Sequence, residues 1–505
     1  MTFLFVFNSA LYLRHYGAVL SALADAGHAA TVVFTAPRAG DAALFGRVFD
    51  ACPRVTMTEA PERTGWWWPA ADPIRALRDY AHYLNPAFDD APLVVARATA
   101  RVPRMARALV GGRGGSARRR VRADRALEFI ERSLPADRGI VAWLRAKRPD
   151  AVLISPLIDL GYEQLHILKA ARALGLPTGH LVASWDNLTN KGRIQIAADA
   201  TIVWNEVQRN EAIDLHGVQP ARIVVTGAQL YDRWFAASGS TGRAAFCQAV
   251  GLDPARPILL YAASSPFVAP DETRFVAEWL AALRSSPDPL VRGAQVLLRP
   301  HPLHAAQWQG VDFLALGPVI VSPANGAMPI EEADGQHFLD SLHHAVAVVG
   351  INTSVFLEAA IAGRPCLGVR RAGWTGTQEG TLHFRHLLEA GVVELAPNFD
   401  VHCARLGAIL RGNAGDRTRV RAFVASFLRP LGIDRPVAPI VAAAVEQVAA
   451  ARPAPAKPPF GAALVRAALF PLAAAYLRPR YLARRAERPR ANAGQPPIAP
   501  DGDRP

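Results

Sequence analysis

LHHAVAVVGINTSVFLEAAIAGRPCLGV, residues 342–369, carries in order a strand, a polar loop, a short helix and a second strand. The unbroken apolar run Ala345–Val349 predicts a buried strand. Gly350, Asn352, Thr353 and Ser354 then supply a turn and candidate helix caps. Val355 to Ala362 repeats apolar residues at helical spacing, and Gly363 stops the helix before the strand Cys366–Val369. Free backbone N–H groups at that helix start would suit a phosphate. Glu358 follows Ser354 by four residues, so a carboxylate able to accept from ribose hydroxyls lies one helical turn from the anion. A nucleoside diphosphate fits that pairing. A plain capped strand-helix-strand unit has the same spacing, and spacing alone does not choose between them.

Outward from this stretch the same alternation recurs. Phe3–Phe7 reads as a strand, followed by the loop Asn8–Arg14, a helix over Tyr16–Ala26 and a strand Ala30–Phe34. Ala151–Ile154, a helix near Tyr162–Leu174 and the strand Thr178–Val182 repeat it, and short strands are expected at Ala200–Trp204 and Ile223–Thr226. This first domain closes near Phe235, and Ala236–Gly242 reads as a linker. Strands near Ile258–Ala262, Gln295–Arg299 and Val319–Val321 begin a second series. The expected fold class is α/β, with two doubly wound Rossmann-like domains, 1–235 and 243–450, and a basic tail, 451–505. Two such domains facing each other create a cleft at the carboxyl ends of their strands.

The 342–369 stretch is similar to the donor-binding motif of GT-B-fold transferases, both nucleotide-sugar glycosyltransferases and CDP-glycerol glycerophosphotransferases. Those families place a Gly or Asp, then Ser/Thr, then a Glu one turn later and a Gly-x-Pro; this chain has Gly350, Thr353, Ser354, Glu358 and Gly363-Arg364-Pro365. The resemblance in organisation extends over residues 1–445. It implies a nucleotide-diphosphate donor as substrate, bound by Asn352, Thr353, Ser354 and Glu358.

Other polar clusters fall at expected strand ends. Arg299-Pro300-His301-Pro302 projects a cation and an imidazole into a loop stiffened by two prolines. Arg299 could clamp a diphosphate, and His301 could hydrogen-bond it or protonate the leaving group; the sequence resembles the R-x-H-P of CDP-glycerol glycerophosphotransferases. Ser184–Gly192 follows the strand Thr178–Val182 and resembles their Trp-His-Gly…Lys motif. Trp185 and Lys191 are kept on the acceptor side, but Asp186 stands in place of the His. Asp186 could deprotonate an acceptor hydroxyl with Lys191 offsetting charge, or build an Asx turn with Asn187. Gly227 would let backbone approach donor phosphates, and Ser264 and Ser265 could hydrogen-bond them. Asp232 and Arg233 read as an interdomain ion pair. His15 is a second candidate base, if Asp159 orients it. Gln378, Glu379 and His383 could touch the transferred group, and Trp66-Trp67-Trp68 could line an acceptor cleft, a membrane edge or the core.

The chain of 505 residues has 51% hydrophobic and 20% charged residues, a globular composition, and a net charge of +13 that favours anionic partners. Its four cysteines form no CxxC pair, which points to neither a zinc site nor a disulfide framework and suits a reducing cytoplasm. The opening residues read as a core strand and not a signal peptide. Residues 97–125 hold ten arginines and one acid, Asp124, and read as a flexible basic insertion or the extension of a helix. In the tail, the apolar stretch Phe460–Leu477 is interrupted by Arg466 and Pro471 and precedes six arginines within 478–490. It suits an interfacial helix on the inner face of a membrane, or a helix docked on the protein, better than a spanning one. The partners expected are a nucleotide-activated donor, a sugar or lipid-linked acceptor, and an anionic membrane surface through 97–125 and 460–490, with no nucleic acid. No DxD sequence sits in a convincing metal position, so no metal site is assigned. The leading expectation is a metal-independent glycosyltransferase of cell-surface polysaccharide or glycolipid synthesis. The alternatives are glycerophosphate transfer from CDP-glycerol and nucleotide-sugar 2-epimerisation.

Overall fold

The computed structural model describes residues 1–64, 67–159, 161–236 and 241–477. Among the described residues, thirteen strands of three to six residues form two separate sheets. In the first, β1 (Thr2–Phe7), β2 (Ala29–Phe34), β3 (Val55–Thr58), β4 (Ala151–Ile154), β5 (Thr178–Leu181), β6 (Ala200–Val203) and β7 (Ile223–Val225) lie in the order 3-2-1-4-5-6-7. The second contains β8 (Ile258–Ala262), β9 (Gln295–Arg299), β10 (Val319–Val321), β11 (Ala345–Val349), β12 (Cys366–Val369) and β13 (Val393–Ala396), ordered 10-9-8-11-12-13. All pairings are parallel. Parallel strands need helical crossovers that cover both faces, which is why β1, β4, β8 and β9 are apolar along nearly their whole length. The two doubly wound domains expected from the sequence are therefore present.

The domains share apolar surface. Trp185, Trp204 and Tyr231 of the first half pack in one cluster with Phe356, Leu357 and Leu342 of the second. The helix Val437–Ala450 falls within the span assigned to the second domain, yet Val437, Val441, Val445 and Val448 are buried against the first sheet, beside Phe5 and Leu181. Each such buried valine contributes about 2 kcal/mol, so the chain returns to its first domain before the tail. Asp232 fixes the entry of this helix: its carboxylate accepts from Val437 N at 2.7 Å and Ala438 N at 2.7 Å and pairs with Arg429 at 2.8 Å. The expected Asp232–Arg233 ion pair is thus replaced, and Arg233 donates to Pro329 O at 2.9 Å.

Residues 97–125 are largely helical, not a flexible insertion. Helices Pro92–Ala100, Arg104–Val110 and Ala117–Ser133 cover most of them, and Asp124 accepts from Arg78 Nε at 2.9 Å on helix Trp68–Tyr83. Arginine and alanine are strong helix formers, which the glycines of 111–115 interrupt only locally. The tail helix Ala462–Leu472 docks on Ala117–Ser133 through Arg466 Nε, which donates to Ser133 O at 2.6 Å. Among the described residues no helix is long and apolar enough to cross a membrane. Most of the expected linker, the arginines of 478–490 and Trp66 lie outside the described residues.

Candidate functional site

In the second sheet the strand order reverses between β8 and β11, and ligands of such sheets bind beyond the carboxyl ends at that point. The loops leaving β8 and β11 there face the first domain across a cavity of about 310 Å³. Its walls carry Arg14, His15, Trp185, Asp186 and Lys191 on one side and Ser265, His301, Asn352, Thr353, Ser354 and His383 on the other. An adjoining compartment of about 70 Å³ shares Arg14, His301, Thr353 and Ser354 and adds Arg299. Gly350 permits this geometry, since a Cβ there would sit 2.8 Å from Ala262 O and 3.2 Å from Thr353 Cγ2.

Behind the cleft lies an ionic cluster that spans both domains, and its carboxylate, Glu358, is not among the residues lining either cavity. Arg14, in the first turn of helix Leu13–Asp25, reaches Glu358 Oε1 at 2.6 Å. Glu358 is fully buried, and its Oε2 has no hydrogen-bond partner. Burial pushes this carboxyl above its usual range, opposed chiefly by Arg14 and Arg299. Arg299 is 6% exposed and stacks 4.2 Å over Phe338. Its guanidinium meets His337 Nδ1 at 3.1 Å and Ala327 O at 3.4 Å. Burial, with Arg14 adding to it, lowers Arg299 to about 10, so it stays charged at neutral pH.

His301 Nδ1 accepts from Leu303 N at 3.1 Å, which places the proton of the neutral ring on Nε2. Burial, His304, Arg14 and Lys191 lower its pKa to about 4. Across the cleft, burial would raise Asp186, but Lys191, His383 and hydrogen bonds from Ser184 and Asn190 outweigh it and hold the carboxyl at about 2. A carboxylate that acidic is a weak proton acceptor at neutral pH, as is the equally depressed His15 ring until an anion arrives beside it. Asn187 makes the local turn instead, its Oδ1 accepting from Ala183 N and Ser184 N, both at 2.9 Å. Burial and Arg14 lower His15 to about 3, while its Nδ1 is buried without a hydrogen-bond partner. Asp159 does not fill that position; it accepts from Asn8.

No protein-family model matches the sequence, and no curated protein matches it. Among solved structures, the UDP-GlcNAc 2-epimerase from Neisseria meningitidis bound to UDP-GlcNAc superposes with a TM-score of 0.50 at 12% identity, over 88% of this chain and 100% of that one. This chain has the GT-B fold. S. aureus MnaA in its UDP co-structure gives 0.47 at 11% identity over 90% and 99% of the two chains, and the calicheamicin glycosyltransferase CalG4 gives 0.44 at 15% over 88% and 98%. At these identities the likeness concerns the fold.

Within this GT-B cleft, His15, Trp185, Asp186, Lys191, His301, Asn352, Thr353 and Ser354 come together as cavity lining. Gly227, Ser264, Gln378 and Glu379 meet protein groups, and Asn352 both lines the cavity and bonds to protein. Gly227, at φ 108°, faces Val437 and Leu428 O, where a Cβ would lie 2.8 and 3.1 Å away, so protein occupies the space foreseen for phosphate. Ser264 is fully buried and its Oγ accepts from Asn352 N at 3.3 Å, leaving Ser265 on the cavity wall. Asn352 Nδ2 donates to Thr377 O at 2.7 Å and so braces the loop that leads into helix Leu382–Glu389, which carries His383. Glu379 pairs with Arg370 at 2.9 Å, and Gln378 supports Ile351 O at 2.9 Å. Ser354 makes no side-chain cap, whereas Thr353 Oγ1 accepts from Val355 N at 3.4 Å. Trp67 lies at another cavity, edge-on to Phe470 at 6.5 Å. Arg14 and Tyr231, whose buried hydroxyl is unpartnered, join the lining without having been foreseen. Arg14 lies 344 positions from Glu358, and no local pattern signals such a contact.

Proposed function

We propose that this chain transfers a sugar from a nucleoside-diphosphate donor to an acceptor hydroxyl. One observation carries the reading: two guanidiniums, Arg14 and Arg299, line one compartment of the cleft from the two domains, with the buried Glu358 behind them paired to Arg14 at 2.6 Å and acting on Arg299 through space. A surplus of buried positive charge calls for an anion, and a diphosphate supplies it. On donor binding Arg14 turns from Glu358 to the diphosphate, and Glu358 becomes free to accept from ribose hydroxyls. His301 donates its Nε2 proton as a hydrogen bond to a phosphate oxygen. The acceptor oxygen bonds to the anomeric carbon while the bond from that carbon to the diphosphate breaks. The diphosphate leaves with the electron pair, stabilised by Arg14, Arg299 and Lys191. His15 Nδ1 takes the acceptor proton; the arriving diphosphate and Asp186 both raise its basicity. The Trp185 ring, edge-on to His383 at 4.7 Å, offers an apolar wall to the acceptor sugar.

Nucleotide-sugar 2-epimerisation is the second reading, favoured by the fold shared with the Neisseria meningitidis enzyme. A panel of UDP-, GDP- and CDP-activated sugars and CDP-glycerol separates these readings. Transfer requires release of nucleoside diphosphate that depends on an added glycan or lipid-linked acceptor. Epimerisation yields altered or free sugar without acceptor, and release of CMP from CDP-glycerol would assign glycerophosphate transfer. Absence of turnover with every donor contradicts the enzyme reading.

A further inference from the structure

The tail helix Ala462–Leu472 is inverted relative to an ordinary surface helix. Its single charge, Arg466, points inward to Ser133 O, and Ala462 is buried together with Ala473 just beyond the helix. The outward side is apolar: Phe460 just before it is fully exposed, Leu464 is 77% and Leu472 53% exposed, and Ala463, Ala467 and Ala468 are exposed between them. A helix facing water normally turns polar residues outward. Beneath the helix, the strap of residues 451–459 is tied to the first domain by Ala456 N, which donates to Arg172 O at 2.8 Å. Between strap, helix and domain lies a cavity of about 740 Å³. Its lining includes Arg132, Lys169, Arg172, Arg222, Lys457 and Arg466 against one carboxylate, Glu128. Burial lowers Arg172, Asp199 opposes it, and Arg222 and Arg132 add to it. Lys169 is already paired with Glu131 at 3.0 Å, so the cations left for a ligand are chiefly Arg132, Arg222 and Lys457. The sequence continues with six arginines within 478–490.

We propose that this corner is a membrane-docking site in which the outward side of helix Ala462–Leu472 enters the interfacial zone of an anionic bilayer and lipid phosphates occupy the cationic cavity behind it. Apolar burial and basic charge together give the two signals that stable peripheral attachment requires. The site is separate from the cleft and does not depend on the donor reading. It would present a cleft enzyme to acceptors held at a membrane.

The full chain is sedimented with vesicles of phosphatidylcholine alone and of phosphatidylcholine with phosphatidylglycerol. Pelleting with the anionic vesicles only is expected. Leu464→Asp with Leu472→Asp changes exposed positions and should weaken attachment at least tenfold with an unchanged circular dichroism spectrum. Arg132→Glu and Lys457→Glu should each weaken it at least about fivefold. Wild-type chain that stays in solution, or a Leu464→Asp/Leu472→Asp variant that pellets like wild type, overturns the proposal. So does glycerol phosphate binding in calorimetry without vesicle attachment, which would assign the cavity to a soluble anion.

Discussion

His301 has a neutral ring, with its pKa lowered to about 4. A diphosphate beside it favours the charged form and raises that pKa, so binding takes up a proton between the two values. Affinity for a UDP-sugar, whose phosphates do not titrate near neutrality, should rise as pH falls from 8 to 5. His301→Gln should flatten the dependence, and equal slopes in calorimetry would remove His301 from the phosphate contacts. Asp186, held at about 2, should contribute no titration to the rate between pH 5 and 9. Asp186→Asn should lower the rate and leave the shape of the pH profile unchanged; a lost acidic limb would show that Asp186 is the base. The presence of these groups was legible, because each follows an apolar strand. Their protonation was not, because Lys191, His383 and Arg14 act on them through space.

Three helices of the first domain are tied by one buried carboxylate. Glu131 on Ala117–Ser133 meets Arg75 of Trp68–Tyr83 at 2.9 Å and Lys169 of Glu163–Ala173 at 3.0 Å. Burial would raise Glu131, but the two cations outweigh it and hold it at about 2, below the unfolded value of 4.5. A depressed folded pKa stabilises the fold above pH 4.5, by about 3 kcal/mol here, and that contribution is lost as pH falls through 2. Glu131→Gln should destabilise the chain by about 3–5 kcal/mol at pH 7 by stranding Arg75, and should weaken the acid dependence of urea unfolding. Asp232→Ala removes the carboxylate at the start of Val437–Ala450 and should cost about 2 kcal/mol in the same measurement. An unchanged midpoint would contradict either assignment. The helix Val437–Ala450 was not singled out in the sequence, and periodicity would in any case name a buried face and not the sheet that buries it. Residues 97–125 were misread because their charge resembles a solvated loop, whereas Arg78 and Arg193 on neighbouring segments both pair with Asp124.

The two sheets and their parallel order were readable from alternating apolar runs and helical spacing, since both reflect burial close along the chain. How the halves meet depends on contacts hundreds of positions apart, such as Arg14 with Glu358 and Asp90 with Arg385 at 2.9 Å. The cleft therefore joins the 352–358 stretch, legible in the sequence, to an arginine that only the folded chain brings to it. That junction is tested by calorimetric titration of UDP, GDP and CDP into wild type, Arg299→Ala and Glu358→Gln. The account predicts that one of these nucleotides binds wild type and that each variant weakens it at least tenfold at a temperature where its circular dichroism spectrum matches that of the wild type. Binding of equal strength in all three proteins, or no binding of any nucleotide to the wild type, would contradict it.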